Sequence, residues 1–283
     1  PTTINHNLLS ESSQILTMSK FEKSIRNQQA SFSFCKIMKI GIVKYILVFF
    51  LSFYSIDLYS AGKADLVEQK WPFDGFFGRF DQSSLQRGFQ VYREVCAGCH
   101  GIRLVSYRDL EALGYTNDDI KSIASEYEIE DVPNDEGEMF LRFAKPSDKF
   151  VGPYQNKNEA RAANNGSYPP DLSLIVKARA GGADYLYNLL NGYKDVPEDF
   201  KLNDGMYYNT IYPGMQIAMP QPIYDDMVEY EDNTPTSQDQ IIRDVTSFLA
   251  WTAEPELDER KSIGVRVLLF LFLLTLMLSL IHI

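Results

Sequence analysis

Cysteine and histidine are almost missing from this chain, with three of each in 283 residues. Cys35 and His6 lie near the N-terminus and His282 ends a C-terminal apolar tail, so the middle of the chain keeps only Cys96, Cys99 and His100. That scarcity excludes a disulfide framework there. It also excludes an ordinary structural zinc site, which needs about four nitrogen or sulfur ligands, because no second ligand pair exists. A thioredoxin-like dithiol would need a βαβ context, and none is legible. Basic charge is short as well: 27 Lys/Arg stand against 38 Asp/Glu. The first 61 residues hold six Lys/Arg and three Asp/Glu, a balance of +3, so the −11 of the whole chain leaves −14 for residues 62–283. An acidic body excludes nucleic acid as a partner and suits a basic protein partner or plain solubility. Strand signal is weak, and there is no internal repeat.

Long apolar runs are few. Ile46–Ile56 has the length of a secretory h-region, with Lys36, Lys39 and Lys44 before it and Ser60-Ala61 after it. This is the plan of a signal peptide cleaved near Ala61, and residues 1–61 are read as a leader. Met38 is a candidate start, which would place residues 1–37 upstream of the translated protein. Their Ser-rich, acid-poor composition also suits a bipartite organelle presequence. A first anchor is the alternative, but the run is shorter than the roughly 20 residues of a span. The second run, Gly264–Ile283, is apolar from Val267 to Ile281 and follows Arg260, Lys261 and Arg266. It is expected to be a transmembrane anchor. Exported proteins anchored this way carry basic residues beyond the span, so a truncated C-terminus is expected. The intervening residues 62–260 suffice for one core.

Within that stretch stands Cys96-Ala97-Gly98-Cys99-His100. C-x-x-C-H is the attachment signature of a c-type haem. Thiols three positions apart share one side of a helical turn and can add to the two vinyl groups of one porphyrin. The imidazole at i+4 lies on the same face and can reach the iron. Ser83–Val95 leads into the motif with Leu85, Phe89, Tyr92 and Val95 at helical spacing, and Ser83 or Ser84 is the expected N-cap.

Further along, Tyr107–Leu113 and Thr116–Glu126 read as short helices, the second capped by Thr116 or Asn117. Residues 126–138 hold seven acids and no base and read as a loop. Residues 140–168 read as mostly irregular. Asp171–Ala180 and Ala183–Asn191 read as helices split by Gly181-Gly182, residues 195–222 as loop, and Thr236–Thr252 as a helix with an apolar face. The expected fold is mainly α, with long loops that a haem at the centre makes tolerable.

The iron of such a haem takes a second axial ligand or keeps an open site, and a second ligand here must come from a residue other than His. Outside the leader and the anchor the methionines are Met139, Met206, Met215, Met219 and Met227. Met219 and Met215 sit in Pro213-Gly214-Met215-Gln216-Ile217-Ala218-Met219-Pro220. Prolines stiffen such a loop, and a thioether on iron raises the haem potential. Locally the choice between the two stays open, and either could be a core gap-filler.

The ordered set of motifs carries a resemblance. Arg87–Val95 precedes CxxCH and Tyr107-Arg108-Asp109-Leu110 follows. Then come Gly137–Phe140, Ala160–Gly166, Pro169–Ser173, Gly181–Tyr185, Tyr212-Pro213-Gly214 ahead of Ile217-Ala218-Met219, and Phe248–Pro255 before the final apolar run. Over residues 66–283 the chain resembles the cytochrome c1 family. The resemblance implies a cytochrome c-like haem domain with one haem c held by Cys96 and Cys99. It implies His100 and Met219 as axial ligands and Arg179 beside a propionate. By local reasoning Arg179 would be a solvated helix residue. Tyr185, Asn164 and Pro170 would line the pocket.

With both axial positions filled, the expected activity is electron transfer without bond chemistry of its own. By the resemblance, cytochrome b and a Rieske iron–sulfur protein are partners, and a soluble or membrane-tethered cytochrome c accepts the electron. The haem domain would lie on the periplasmic or intermembrane-space side, and residues 126–138 would attract a basic acceptor. A monohaem subunit of a terminal oxidase is the alternative. A c-type peroxidase would carry two CxxCH motifs, and this chain has one.

Overall fold

The computed structural model describes residues 66–133 and 135–282, all within one compact unit that runs from Lys63 to Ile283. The expected leader, with Cys35 and His6, lies outside the described residues.

The described chain is built mainly of helices, as expected. α1 spans Gln82–Val91 and opens into a π-helical turn over Tyr92–Cys96. Its N-cap is Asp81, not either serine. The Asp81 carboxylate accepts from the Ser84 amide at 3.0 Å. A 3-10 helix covers Tyr107–Leu113 and α2 covers Asn117–Ser125. The Thr116 and Asp119 side chains each bond the other's backbone amide, a capping box that starts α2 at the expected cap.

Three stretches expected to be loop or irregular carry short strands. β1 (Glu128–Glu130) pairs antiparallel with β2 (Leu141–Phe143), Ile129 opposite Arg142. Arg142 clamps the pair by ion pairs to Asp131 and to Asp148. Further on, β3 (Tyr207–Tyr208) pairs with β4 (Gln216–Ile217). α3 spans Lys157–Ala163, also within the expected irregular stretch.

The helix expected over residues 171–180 shrinks to α4, Ile175–Ala178. The Asp171 carboxylate accepts from the Ser173 and Arg103 amides instead of capping a helix at Asp171. α5 spans Gly182–Asn191, and Gly181, at φ 92°, makes the left-handed break before it. α6 spans Gln238–Ala253 and α7 spans Leu257–His282.

The core is where α1 crosses α6. Gly88 makes the crossing close: a Cβ there would meet the Asp244 carbonyl oxygen at 2.1 Å and the Phe248 Cβ at 2.6 Å. Phe89 and Tyr92 pack on Phe248, with ring centroids 5.5 and 5.7 Å apart, and Phe248 stacks on Trp251. One polar knot is buried with them. Asp244, 0 % exposed, accepts from Ser84 at 2.7 Å, Arg87 at 2.9 and 3.1 Å and Gln240 at 3.0 Å. The knot binds the helix that carries the CxxCH motif to α6.

α7 starts nearer the domain than the apolar run suggested. Residues Leu257–Ile281 form a helix long and apolar enough to cross a membrane, with none of its apolar window buried in the protein. At about 1.5 Å per residue it outspans a hydrocarbon core of about 30 Å.

Candidate functional site

The motif lies where α1 unwinds. The Ala97 amide reaches back to the Tyr92 carbonyl, a five-residue bond, and the Cys99 and His100 amides both turn onto the Cys96 carbonyl at 3.1 and 2.9 Å. This knot of turns puts both thiols and the imidazole within one tight segment. The Tyr92 hydroxyl donates to the His100 carbonyl at 3.1 Å and closes it. Neither thiol is in a disulfide; Cys99 is exposed and Cys96 half-buried. Burial pushes the Cys96 thiol up to about 12, so it rests protonated.

His100 is oriented from across the fold. Its Nδ1 lies 2.7 Å from the Pro170 carbonyl oxygen. A carbonyl only accepts, so Nδ1 carries the proton and Nε2 keeps its lone pair. Burial lowers the His100 pKa, against the opposing pull of that hydrogen bond and of Asp171. The ring therefore stays neutral, the form that binds a metal. The carbonyl–imidazole bond is also the usual outer support of a metal-binding histidine.

The segment that presents Pro170 is itself pinned. The Leu172 amide donates to the Gly101 carbonyl at 2.8 Å and the Leu104 amide to the Ser173 hydroxyl at 3.0 Å. Gly101 lies close under it: a Cβ there would sit 3.3 Å from the Asp171 carboxylate and 3.4 Å from the Gly152 Cα.

Met219 lies two residues past the β3–β4 hairpin. Buried Asn209 anchors that hairpin to the end of α5. It donates to the Leu189 carbonyl at 2.8 Å and accepts from the Ile211 and Tyr212 amides. The Tyr193 hydroxyl then donates to the Met219 carbonyl at 3.0 Å. Met219 is half-buried, and no hydrogen bond engages its sulfur among the described residues. Met215 differs: it is 42 % exposed, sits at φ 56° on the hairpin tip, and its sulfur accepts from the Tyr208 hydroxyl at 3.6 Å. The hairpin and Asn209 thus tie this loop to α5 by hydrogen bonds, in addition to the prolines.

Arg179 ends α4, exposed, and its guanidinium reaches only the neighbouring Ala178 carbonyl. It has no carboxylate partner among the described residues, so it is a cation available to an added acid. Tyr185 is half-buried near it, and burial raises its hydroxyl pKa. Asn164 does a structural job, donating to the Ala160 carbonyl and the Tyr154 hydroxyl at the end of α3. Tyr92, Asp171, Tyr193 and Asn209 were not legible as site residues, because a lone tyrosine or asparagine has no spacing signature.

The donor set fits a covalently held haem. Two unpaired thiols share one turn, an imidazole is fixed with Nε2 free, a thioether waits on an anchored loop, and an arginine lacks a partner. A sequence model of the Cytochrome C1 family matches residues 71–282. The chain belongs to the cytochrome c1 family. A mitochondrial cytochrome c1 heme protein of Arabidopsis thaliana is 50% identical over 211 residues, covering 75% of this chain and 68% of the relative. Cytochrome c1 of Rhodospirillum rubrum is 47% identical over 233 residues, 77% of this chain and 86% of the relative. The mitochondrial cytochrome b-c1 complex catalytic subunit of Candida albicans is 50% identical over 202 residues, 71% of this chain and 70% of the relative.

Proposed function

We propose that this member of the cytochrome c1 family is the membrane-anchored monohaem electron carrier of a cytochrome b-c1 complex. In this reading residues 62–260 form the haem domain and residues 264–283 lie in the anchor, after a leader over 1–61. The observation that carries the proposal is the His100 ring: its Nδ1 is committed to the Pro170 carbonyl and its Nε2 is free, one turn from two unpaired thiols. The relatives' names, which pair cytochrome c1 with heme and with the b-c1 complex, support it.

Bound haem would supply a one-electron couple whose potential a thioether ligand raises. The chain's residues do the rest. Cys96 and Cys99 tether the group as thioethers, so it stays through each redox cycle. Pro170 fixes the tautomer and plane of the His100 ring. Asn209 and Tyr193 hold the segment that carries Met219, whose thioether would bind the iron despite its weak affinity. Arg179 offers its charge to a propionate. With His100 and Met219 both bound to it, the iron would have no position open to substrate and would pass only an electron. The electron comes from a Rieske iron–sulfur protein, beside cytochrome b, and leaves to a soluble or tethered cytochrome c. The domain faces the periplasm or intermembrane space.

The test is attachment. Wild-type protein should keep haem staining on a denaturing gel, and Cys96→Ala with Cys99→Ala should lose it. Staining that persists in the double variant would overturn the assignment. Purification of the native complex should bring down cytochrome b and a Rieske protein; copper-haem oxidase subunits instead would move the chain to a terminal oxidase.

A further inference from the structure

The loop at 71–80 lies against the first turn of α7 and exposes two adjacent phenylalanines. Phe76 is 56 % and Phe77 80 % exposed, and their rings meet edge to face with centroids 5.0 Å apart. Everything around them is fastened. Trp71 and Phe73 are buried with Ala250 and Leu257. The Phe80 amide donates to the Asp258 carboxylate at 3.3 Å. Lys261 places its ammonium among three carbonyls of the loop, those of Phe73 and Gly75 at 2.7 Å and that of Gly78 at 3.1 Å. Gly78 permits the tight fold-back, since a Cβ there would meet the Asp74 carbonyl oxygen at 1.9 Å.

The order of these ties gives the loop a direction. Its ends are held at residues 250–258, and its middle at Lys261, a turn further along α7. From Lys261 to Val267, where the unbroken apolar run starts, is six residues, or about 9 Å of helix. That is close to the thickness of the polar layer on one side of a bilayer, about 5–8 Å. Arg79 on the loop and Arg266 on α7 are exposed with no carboxylate partner among the described residues, so the loop and the span each carry a cation that can meet lipid phosphates. Two neighbouring exposed rings on a clamped loop beside a span, with a cation on each, match an interfacial membrane contact.

We propose that Phe76 and Phe77 are a second membrane contact, seated at the headgroup–acyl boundary of the bilayer that α7 crosses. Lys261 sets the depth of the tip, and the two attachments together fix the tilt of the domain on the membrane. The proposal rests on α7 being a span.

The full chain carrying its haem is reconstituted into phosphatidylcholine vesicles, with Phe77 replaced by the photo-reactive analogue p-benzoylphenylalanine. A parallel chain carries the analogue at Leu273, in the middle of α7, and a third carries it at Val132, exposed on the domain. Irradiation and mass spectrometry should find lipid adducts at 77 and 273 and none at 132. Lys261→Gln added to the Phe77 chain should lower the lipid adduct there. Lipid adducts at 273 with none at 77 overturn the proposal and leave the span intact. Protein adducts at 77 overturn it in favour of a covering second copy. No lipid adduct at either position removes the span and the proposal with it. An undiminished adduct in Lys261→Gln overturns the role of the clamp.

Discussion

Single side chains settle what the site can do, and the clearest contrast is between two methionines four residues apart. Met215 is exposed and its sulfur already engages Tyr208, whereas the Met219 sulfur has no hydrogen bond among the described residues and its backbone is held by Tyr193. Met219→Leu keeps bulk and loses the sulfur, so the haem potential should fall and the sulfur-to-iron absorption band should vanish. Met215→Leu should leave both near wild type. Redox titration with optical spectra checks this, and the reverse pattern would exchange the two assignments. Asp244 supports a second prediction. It is fully buried and accepts four hydrogen bonds, two of them from Arg87. Asp244→Ala leaves Ser84 and Gln240 without their acceptor and Arg87 with Asp232 alone, at 2.6 Å, and should cost about 1–3 kcal/mol. At this size each kcal/mol lowers Tm by about 2–4 °C. Arg87→Met combined with Asp244→Leu should recover most of the loss in a thermal melt, since the one carboxylate left without its arginine, Asp232, is exposed to water.

Among the elements, the β1–β2 hairpin depends most on charge. Arg142 donates to Asp148 at 2.6 and 3.1 Å and also pairs with Asp131. Its hydrogen bonds hold the Asp148 carboxyl below the usual carboxylate value; the Val132 amide, then Arg142, do the same for Asp131. A depressed folded pKa means the stabilisation is complete above the unfolded value of about 4. It is lost as pH falls through the lower folded value. Exchange protection of the amides in 128–130 and 141–143 should therefore drop on acidification below about pH 4. Arg142→Gln should be less protected at neutral pH and should lose that acid step. An unchanged acid step in the variant would show that other groups carry it.

For the molecule as a whole, net charge governs encounter. Of the acids in residues 126–138, Glu128 and Glu130 are exposed with no ion pair among the described residues, while Asp131 is spent on Arg142. The docking field expected of this stretch is thus smaller than its composition suggests. Glu128→Gln with Glu130→Gln should slow electron delivery to a basic cytochrome at low ionic strength. At high salt, where screening acts within about 3–10 Å, the rate should match wild type. Stopped-flow rates across a salt series read the effect, and a rate equal to wild type at low salt would return these residues to simple solvation.

The local chemistry of this protein was set by its sequence: a covalent haem motif, the scarcity of competing ligands, an apolar helix too long to be buried, and helices wherever the 3.6-residue pattern was strong. Capping at Thr116 and the break at Gly181 were equally legible, because their causes lie within a few residues. Tertiary structure decided what depends on partners distant in sequence. The His100 tautomer is chosen by a carbonyl 70 residues away. The strands in the acidic loop exist because Arg142 reaches Asp131 and Asp148, and α4 starts late because the Asp171 carboxylate serves the Arg103 amide. The loop carrying Met219 is rigid because Asn209 is buried against α5. Short-range sterics and periodicity can be read along a chain. Hydrogen bonds that fix one side chain's orientation join segments that only folding brings together, and no spacing in the sequence records them.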